Sequence, residues 1–208
     1  VQFPLKVISS AVHNAGMGWY NHFLNRSISP DYNIEDVKEE TVQFLVERDF
    51  SLTNTVVMLT AVEANLVAIR SFNHERFSIT VAVTAGVGNA VDVTRTYERQ
   101  EAAYIGTINT WVIVNGKLSD EAFYQAMITA TEAKTKALAE EEIRDVQTNT
   151  IATGTATDSL LIAATQHGEE MPYAGPITDV GKLIGHGVFE TTVEAIRKYK
   201  QSKNERNG

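Results

Sequence analysis

No apolar run in this 208-residue chain approaches 18 residues, so it is limited to short buried elements and has no candidate membrane span. The runs it has end in, or enclose, stretches of small, polar, nearly uncharged residues: Thr84-Ala-Gly-Val-Gly-Asn-Ala90, Gly106-Thr-Ile-Asn-Thr110, Thr129-Ala-Thr-Glu-Ala-Lys-Thr135 and Ala152-Thr-Gly-Thr-Ala-Thr-Asp158. A plain core would carry Leu, Ile or Val there, and a plain surface Lys or Glu. Gly and Ala let a bulky ligand approach the backbone, while Thr and Asn offer short hydrogen-bonding groups. That is the composition of a pocket wall.

Between these stretches, residue spacing predicts the elements. Leu5 to Ser10 reads as a strand entering a turn at Asn14-Ala-Gly-Met-Gly18. Asn33 is expected to cap a helix with Ile34, Val37, Thr41, Phe44, Leu45 and Arg48 on one face. Thr55 to Val62 and Leu66 to Phe72 read as strands, and Phe77, Ile79, Val81 and Val83 alternate with Ser78, Thr80, Ala82 and Thr84. After a polar span near Thr94 to Glu101, a long strand is expected from Tyr104 to Val114, closed by Asn115-Gly116. Ser119 caps the next helix, with Phe123, Met127, Ala130 and Ala137 inward.

Ser159 to Thr165 is a further strand, and Thr178 or Asp179 opens a last helix with Val180, Leu183, Ile184, Val188, Ile196 and Tyr199 as its buried stripe. Gly181, Gly185 and Gly187 interrupt that helix, which marks close packing against a backbone or a ligand. The expected fold is α+β: a layered sandwich of mixed, largely antiparallel β-sheet packed with helices. One domain is expected over 1–197, with 198–208 a charged, frayed tail.

Cysteine is absent, which removes thiol nucleophiles, disulfides and thiolate metal sites. The net charge of -8, with no basic cluster before the carboxyl end, argues against nucleic acid as a partner. No membrane association is expected, the expected location is cytoplasmic, and a homo-oligomer is left open. His13, His22, His74, His167 and His186 show no metal-ligand spacing, so no metal and no resident cofactor are expected. His186 stands one helical turn before Glu190, a sufficient partner.

Two nucleotide motifs fail. Gly86-Val-Gly88 follows a strand, but Val91 stands where a dinucleotide fingerprint needs its third glycine. Gly175 to Leu183 imitates a phosphate loop, yet has five intervening residues where four are required, and Leu183 where Ser or Thr must hold magnesium.

Among the carboxylates, Glu132 sits in a weakly polar turn, and two readings stand: a buried general acid or base, or an exposed partner of Lys136 at i, i+4 spacing. Asp158, at the mouth of a strand, either orients a nucleophile or caps its own turn. Thr153, Thr155 and Thr157 share one parity and would line one face of an extended segment. Asn109 interrupts an alternating strand, and a buried amide needs partners, of which a ligand is one.

Taken in order, Ser9-Ser-Ala11, Met58-Leu-Thr-Ala61, the Thr84, Gly106, Thr129 and Ala152 stretches, Tyr173-Ala-Gly175 and Gly181-Lys-Leu-Ile-Gly185 resemble the adenosylcobinamide amidohydrolase family, CbiZ, over most of the chain. The resemblance implies hydrolysis of the amide that joins a corrin propionate arm to aminopropanol, giving adenosylcobyric acid and 1-amino-2-propanol in corrinoid salvage. The Asp-x-His-x-x-Gly signature of cobalt-ligating proteins is missing, so the corrin is implied as substrate, not cofactor. His186 stands where relatives are expected to carry a basic residue such as Arg, and no role is carried onto it. The segment order also resembles, more loosely, the self-processing DmpA-type aminopeptidases, which would imply chain cleavage before a nucleophilic residue.

Amide hydrolysis needs an attacking oxygen, oxyanion donors and an acid for the departing amine. Glu132 is expected as general base or acid, Thr155 or a Glu132-activated water as attacking oxygen, and Asp158 as orienting group. Thr84, Gly86, Gly88, Asn89, Thr107, Asn109, Thr153 and Thr157 are expected to bind substrate, with the loop amides near Gly86 and Gly88 and the Asn109 side chain forming the oxyanion site. The alternatives are a non-catalytic corrinoid-binding module and an amidohydrolase for another large amide-bearing ligand.

Overall fold

A computed structural model describes residues 1–29, 32, 34–97 and 106–207. In chain order its elements are β1 (Leu5–Ser9), β2 (Gly16–Tyr20), β3 (His22–Ser27), α1 (Val37–Glu47), β4 (Thr55–Thr60), β5 (Ala68–Asn73), β6 (Ser78–Ala85), β7 (Ala90–Val91), β8 (Ile108–Asn115), β9 (Lys117–Leu118), α2 (Asp120–Glu140), β10 (Gly154–Thr155), β11 (Ser159–Ala164), β12 (Glu170–Met171) and α3 (Asp179–Asn207). Six strands form the main sheet in the order β2-β1-β11-β8-β6-β5. All neighbours in it are antiparallel except β11 and β8. This is the mixed, largely antiparallel α+β sandwich that the residue pattern predicts.

The alternation along β6 decides which layer covers which face. Ile79, Val81 and Val83 turn towards α2 and α3, joining Val112, Val114, Ile162, Phe123, Ile184 and Ile196 in one core. The opposite face of the sheet, through Val7, Trp111, Leu161 and Ala163, packs on Val56 and Met58 of the parallel β3–β4 pair. Phe23 meets Trp111 edge to face across that layer.

The two long helices pack closely because their facing residues are small. Ala122, Ala126, Ala130, Ala133 and Ala137 are buried along α2, and the Thr129 hydroxyl donates to the Ala174 carbonyl just before α3. A side chain at Gly181 would strike the carbonyls of Ala174 and Gly175, and one at Gly187 would meet Phe72 and Ile79 at 3.0–3.2 Å. These glycines therefore serve packing against the chain itself. Ser119 caps α2, accepting from the Ala122 N–H at 3.1 Å, as its position predicts.

Three expectations need correction. The first helix opens at Val37, capped by the Asp36 carboxylate, which accepts from the N–H groups of Lys38 and Glu39. Ile34 precedes it and is exposed. Asn33, Tyr104, Ile105 and the end of the polar span at Glu101 lie outside the described residues. The carboxyl tail, expected to fray, continues α3 to Asn207. Lys200 and Arg197 hold Glu141, and Arg206 pairs with Glu63, contacts between segments far apart in sequence. His186 packs edge-on against Phe72, while Glu190 pairs with Arg70 of β5.

Candidate active site

The small-residue stretches converge at one end of the sheet, where β6 finishes and β8 and β11 begin. Register places Thr84 and Ser159 on either side of Asn109. These three share the face that looks towards β3 and β4. There the Asn25 side chain donates to the Thr84 hydroxyl at 3.0 Å and accepts from the Asn109 amide at 2.7 Å. Asn109 also donates to the Leu59 carbonyl at 2.8 Å.

On the other side of the same sheet end, the loop before β11 turns Asp158 back beneath β8. Its Oδ1 accepts from the Ile108 N–H at 3.1 Å, the Thr155 N–H at 3.2 Å and the Thr155 hydroxyl at 2.5 Å. Its Oδ2 pairs with the Lys134 ammonium of α2. Both side chains are largely buried, 14% and 18% exposed, so water screens this pair less than a surface ion pair. Gly154 makes room for it, since a Cβ there would lie 2.7 Å from Lys134 Nζ.

Around this node the threonines have separate duties. The Thr157 hydroxyl donates to the Gly106 carbonyl at 2.9 Å and meets the Thr107 hydroxyl at 2.7 Å. Thr153 fastens the segment to the stretch after β7, its hydroxyl accepting from Val93 N–H at 3.0 Å. The Thr135 hydroxyl donates to the Thr153 carbonyl at 3.2 Å. Thr153, Thr155 and Thr157 thus take different partners, because the extended segment is only two residues long before it turns. Asn89 is buried with its side chain against Gly106, where no Cβ would fit.

The structure thus gathers Thr84, Gly86, Asn89, Thr107, Asn109, Thr153, Thr155, Thr157 and Asp158 at one sheet end. It leaves Glu132 out. That residue lies on the exposed side of α2, and Lys136, its expected partner, faces Glu140 at 3.9 Å instead. Successive helical residues turn by about 100°, so Glu132 and Lys134 point nearly opposite ways. Lys134, which the sequence does not single out although it stands in the same small-residue stretch, takes the place at the node that Glu132 does not. The expected oxyanion donors are also engaged internally: Gly86 N–H donates to Thr107 carbonyl at 3.0 Å, Asn109 is held as above, and the Gly88 backbone bonds the Tyr199 hydroxyl.

The node holds a carboxylate with a hydroxyl on one oxygen and an ammonium on the other, which suits an acyl-transfer or hydrolysis centre. Among the described residues, no three His, Asp or Glu side chains gather as metal ligands, and no helix is long and apolar enough to cross a membrane.

Residues 1–204 match the family described as adenosylcobinamide amidohydrolase, CbiZ. The chain belongs to that family. A Methanosarcina mazei protein named adenosylcobinamide amidohydrolase is 30% identical over 181 residues, which span 85% of this chain and 83% of the relative. An uncharacterised Methanocaldococcus jannaschii protein is 38% identical over 100 residues, 48% of this chain and 39% of that one. Among solved structures, a Pyrococcus horikoshii protein aligns with a TM-score of 0.45 at 10% identity, over 95% of this chain and 72% of its own.

Proposed function

We propose that Thr155, Asp158 and Lys134 form the centre at which this member of the adenosylcobinamide amidohydrolase family cleaves its substrate. The chain is an amide hydrolase of corrinoid salvage: it splits the aminopropanol amide of adenosylcobinamide into adenosylcobyric acid and 1-amino-2-propanol. The observation that carries the assignment of the centre is the convergence of the Thr155 hydroxyl and the Lys134 ammonium on one carboxylate.

Asp158 draws the proton from Thr155 Oγ1 as that oxygen attacks the amide carbon, forming a C–O bond and a tetrahedral oxyanion. The Lys134 ammonium, fixed on the same carboxylate, offsets the new negative charge. The oxyanion collapses, the C–N bond breaks, and the proton held on Asp158 passes to the departing amine. A water then repeats the attack on the Thr155 ester and releases the corrin carboxylic acid. Direct attack by a water held at the Thr155 hydroxyl is the second reading, and it uses the same carboxylate.

Incubation with adenosylcobinamide, followed by mass spectrometry of both products, tests the activity. Trapping of a corrinoid adduct on Thr155 separates the covalent course from direct water attack. Binding without release of aminopropanol would instead identify a corrinoid-binding module.

A further inference from the structure

Beside the node, on the far side of residues 106–108, lies a cleft of about 110 Å³ between residues 61–66 and the last turns of α3. Gly86 and Gly106 form its floor, and Tyr199, Ser202 and Lys203 one wall. Cleft and node share a single segment of chain. The Gly106 carbonyl takes the Thr157 hydroxyl, and two residues on the Ile108 N–H donates to Asp158. A substrate group seated in the cleft would therefore lie against the same 106–108 segment that holds the reacting centre.

The space has room for only a few waters, at about 30 Å³ each, or a polar group of four or five heavy atoms, far less than a macrocycle. Its polar groups come as donors facing an acceptor. The Tyr199 hydroxyl receives a backbone hydrogen bond from Gly88, which leaves its own proton to donate. Burial raises the Tyr199 pKa, so it remains a neutral donor at physiological pH. Lys203 lies over the Tyr199 ring, its ammonium 5.6 Å from the centroid, and Glu63, paired with Arg206, supplies the carboxylate. A Cβ on Gly86 would come within 2.9 Å of Val62 Cγ2, so glycine lets these two lining residues pack closely.

A primary carboxamide matches this set, with a carbonyl oxygen to accept from Tyr199 and Lys203 and an NH₂ to donate to Glu63. We propose that this cleft seats one primary carboxamide arm of the corrin ring and so sets which edge of the ring faces Asp158. The proposal rests on the substrate and the reacting centre given above. It makes Tyr199, Ser202 and Lys203, in a tail the sequence reads as frayed, determinants of substrate specificity.

The test uses the full chain with adenosylcobinamide as probe. Ser202→Phe fills the cleft from a half-buried helical position, and Lys203→Ala removes an exposed donor, so neither threatens the core. Each is expected to raise KM by about tenfold, the equivalent of one good hydrogen bond, with the effect mainly in KM rather than kcat. Equilibrium dialysis of the same variants in an Asp158→Asn background reads binding without turnover. Weakened dialysis binding in both variants supports the cleft even if the parent enzyme releases no product, an outcome that would sink the reacting centre alone. Unchanged KM and unchanged dialysis binding in both variants would overturn the cleft and leave the centre standing.

Discussion

The Thr155 hydroxyl donates to Asp158 Oδ1 at 2.5 Å while two backbone N–H groups hold the same oxygen. That geometry aims the carboxylate at one hydroxyl and fixes it there. Asp158→Asn keeps the shape but removes the proposed base, and kcat is expected to fall about 10²- to 10⁴-fold with little change in corrinoid binding. Thr155→Ala should fall comparably if Thr155 is the nucleophile, whereas Thr155→Ser should retain measurable turnover. Steady-state release of aminopropanol measures both, and full activity in Asp158→Asn would rule out this centre.

Lys134 and Glu132 offer a direct contrast on one helix. Lys134→Met leaves a buried carboxylate without its cation and removes the charge proposed to offset the oxyanion, so kcat should drop about 10²-fold or more. Glu132→Gln, on the exposed side of α2, should stay within about twofold of the parent. Gly154→Ala should resemble Lys134→Met, because the added Cβ falls on the ion pair. Equal losses in Glu132→Gln and Lys134→Met would restore Glu132 as the acid or base and contradict a centre built on Lys134.

The contrast also shows what was legible in the sequence. The alternation of Phe77 to Thr84, the Ser119 cap and the Asp158 position at a strand mouth are local signals, and the structure follows them. In the sequence, a carboxylate among Thr and Ala reads equally as a buried Glu132 or as one exposed towards Lys136. Which of Glu132 or Lys134 faces inward depends on the rotation of α2 against residues 152–158, a tertiary fact that spacing does not carry. Asn25 was missed for a similar reason. It lies on β3, whose sequence His-Phe-Leu-Asn-Arg-Ser has no alternation, because the strand is half exposed on both faces. The α3 tail is charged and reads as solvent-facing, and contacts distant in sequence, with Glu63, Glu141 and the Val67 carbonyl among them, make it part of the fold.

Packing between α3 and the segment before it gives a stability prediction. Gly181 approaches the Gly175 and Ala174 carbonyls so closely that a Cβ would overlap backbone atoms with no flexible end to move aside. Gly181→Ala, despite its gain in helix propensity, is expected to destabilise by about 1–3 kcal/mol, as overpacking does. Gly185→Ala meets only Thr129 Cγ2 at 3.6 Å, an ordinary contact, and should stabilise by about 0.5–1 kcal/mol through propensity. Chemical denaturation of the two variants, compared with the parent, should show opposite signs.

The Arg26–Glu40–Tyr32 cluster between β3 and α1 predicts how stability responds to alkaline pH. Arg26 grips both Glu40 oxygens at 2.5 and 2.7 Å, and the Tyr32 hydroxyl donates to Glu40 Oε2 at 2.7 Å. Burial, then the hydrogen bond to Glu40 and its charge, push the Tyr32 pKa up from 10.0 to about 12. Below pH 10 the phenol is neutral in both the folded and unfolded chain, and its full contribution is present. Between pH 10 and about 12 the unfolded chain ionises first, so the contribution drains away as pH rises through that window. Glu40 behaves oppositely: the Arg26 hydrogen bonds lower its pKa, so its contribution is lost only as pH falls through the folded value in acid. Melting temperatures of the parent and Tyr32→Phe across pH 8 to 12 separate this step from the lysine titration common to both. The gap between the two curves should narrow above pH 10, and parallel curves would mean that Tyr32 titrates alike in the folded and unfolded chain.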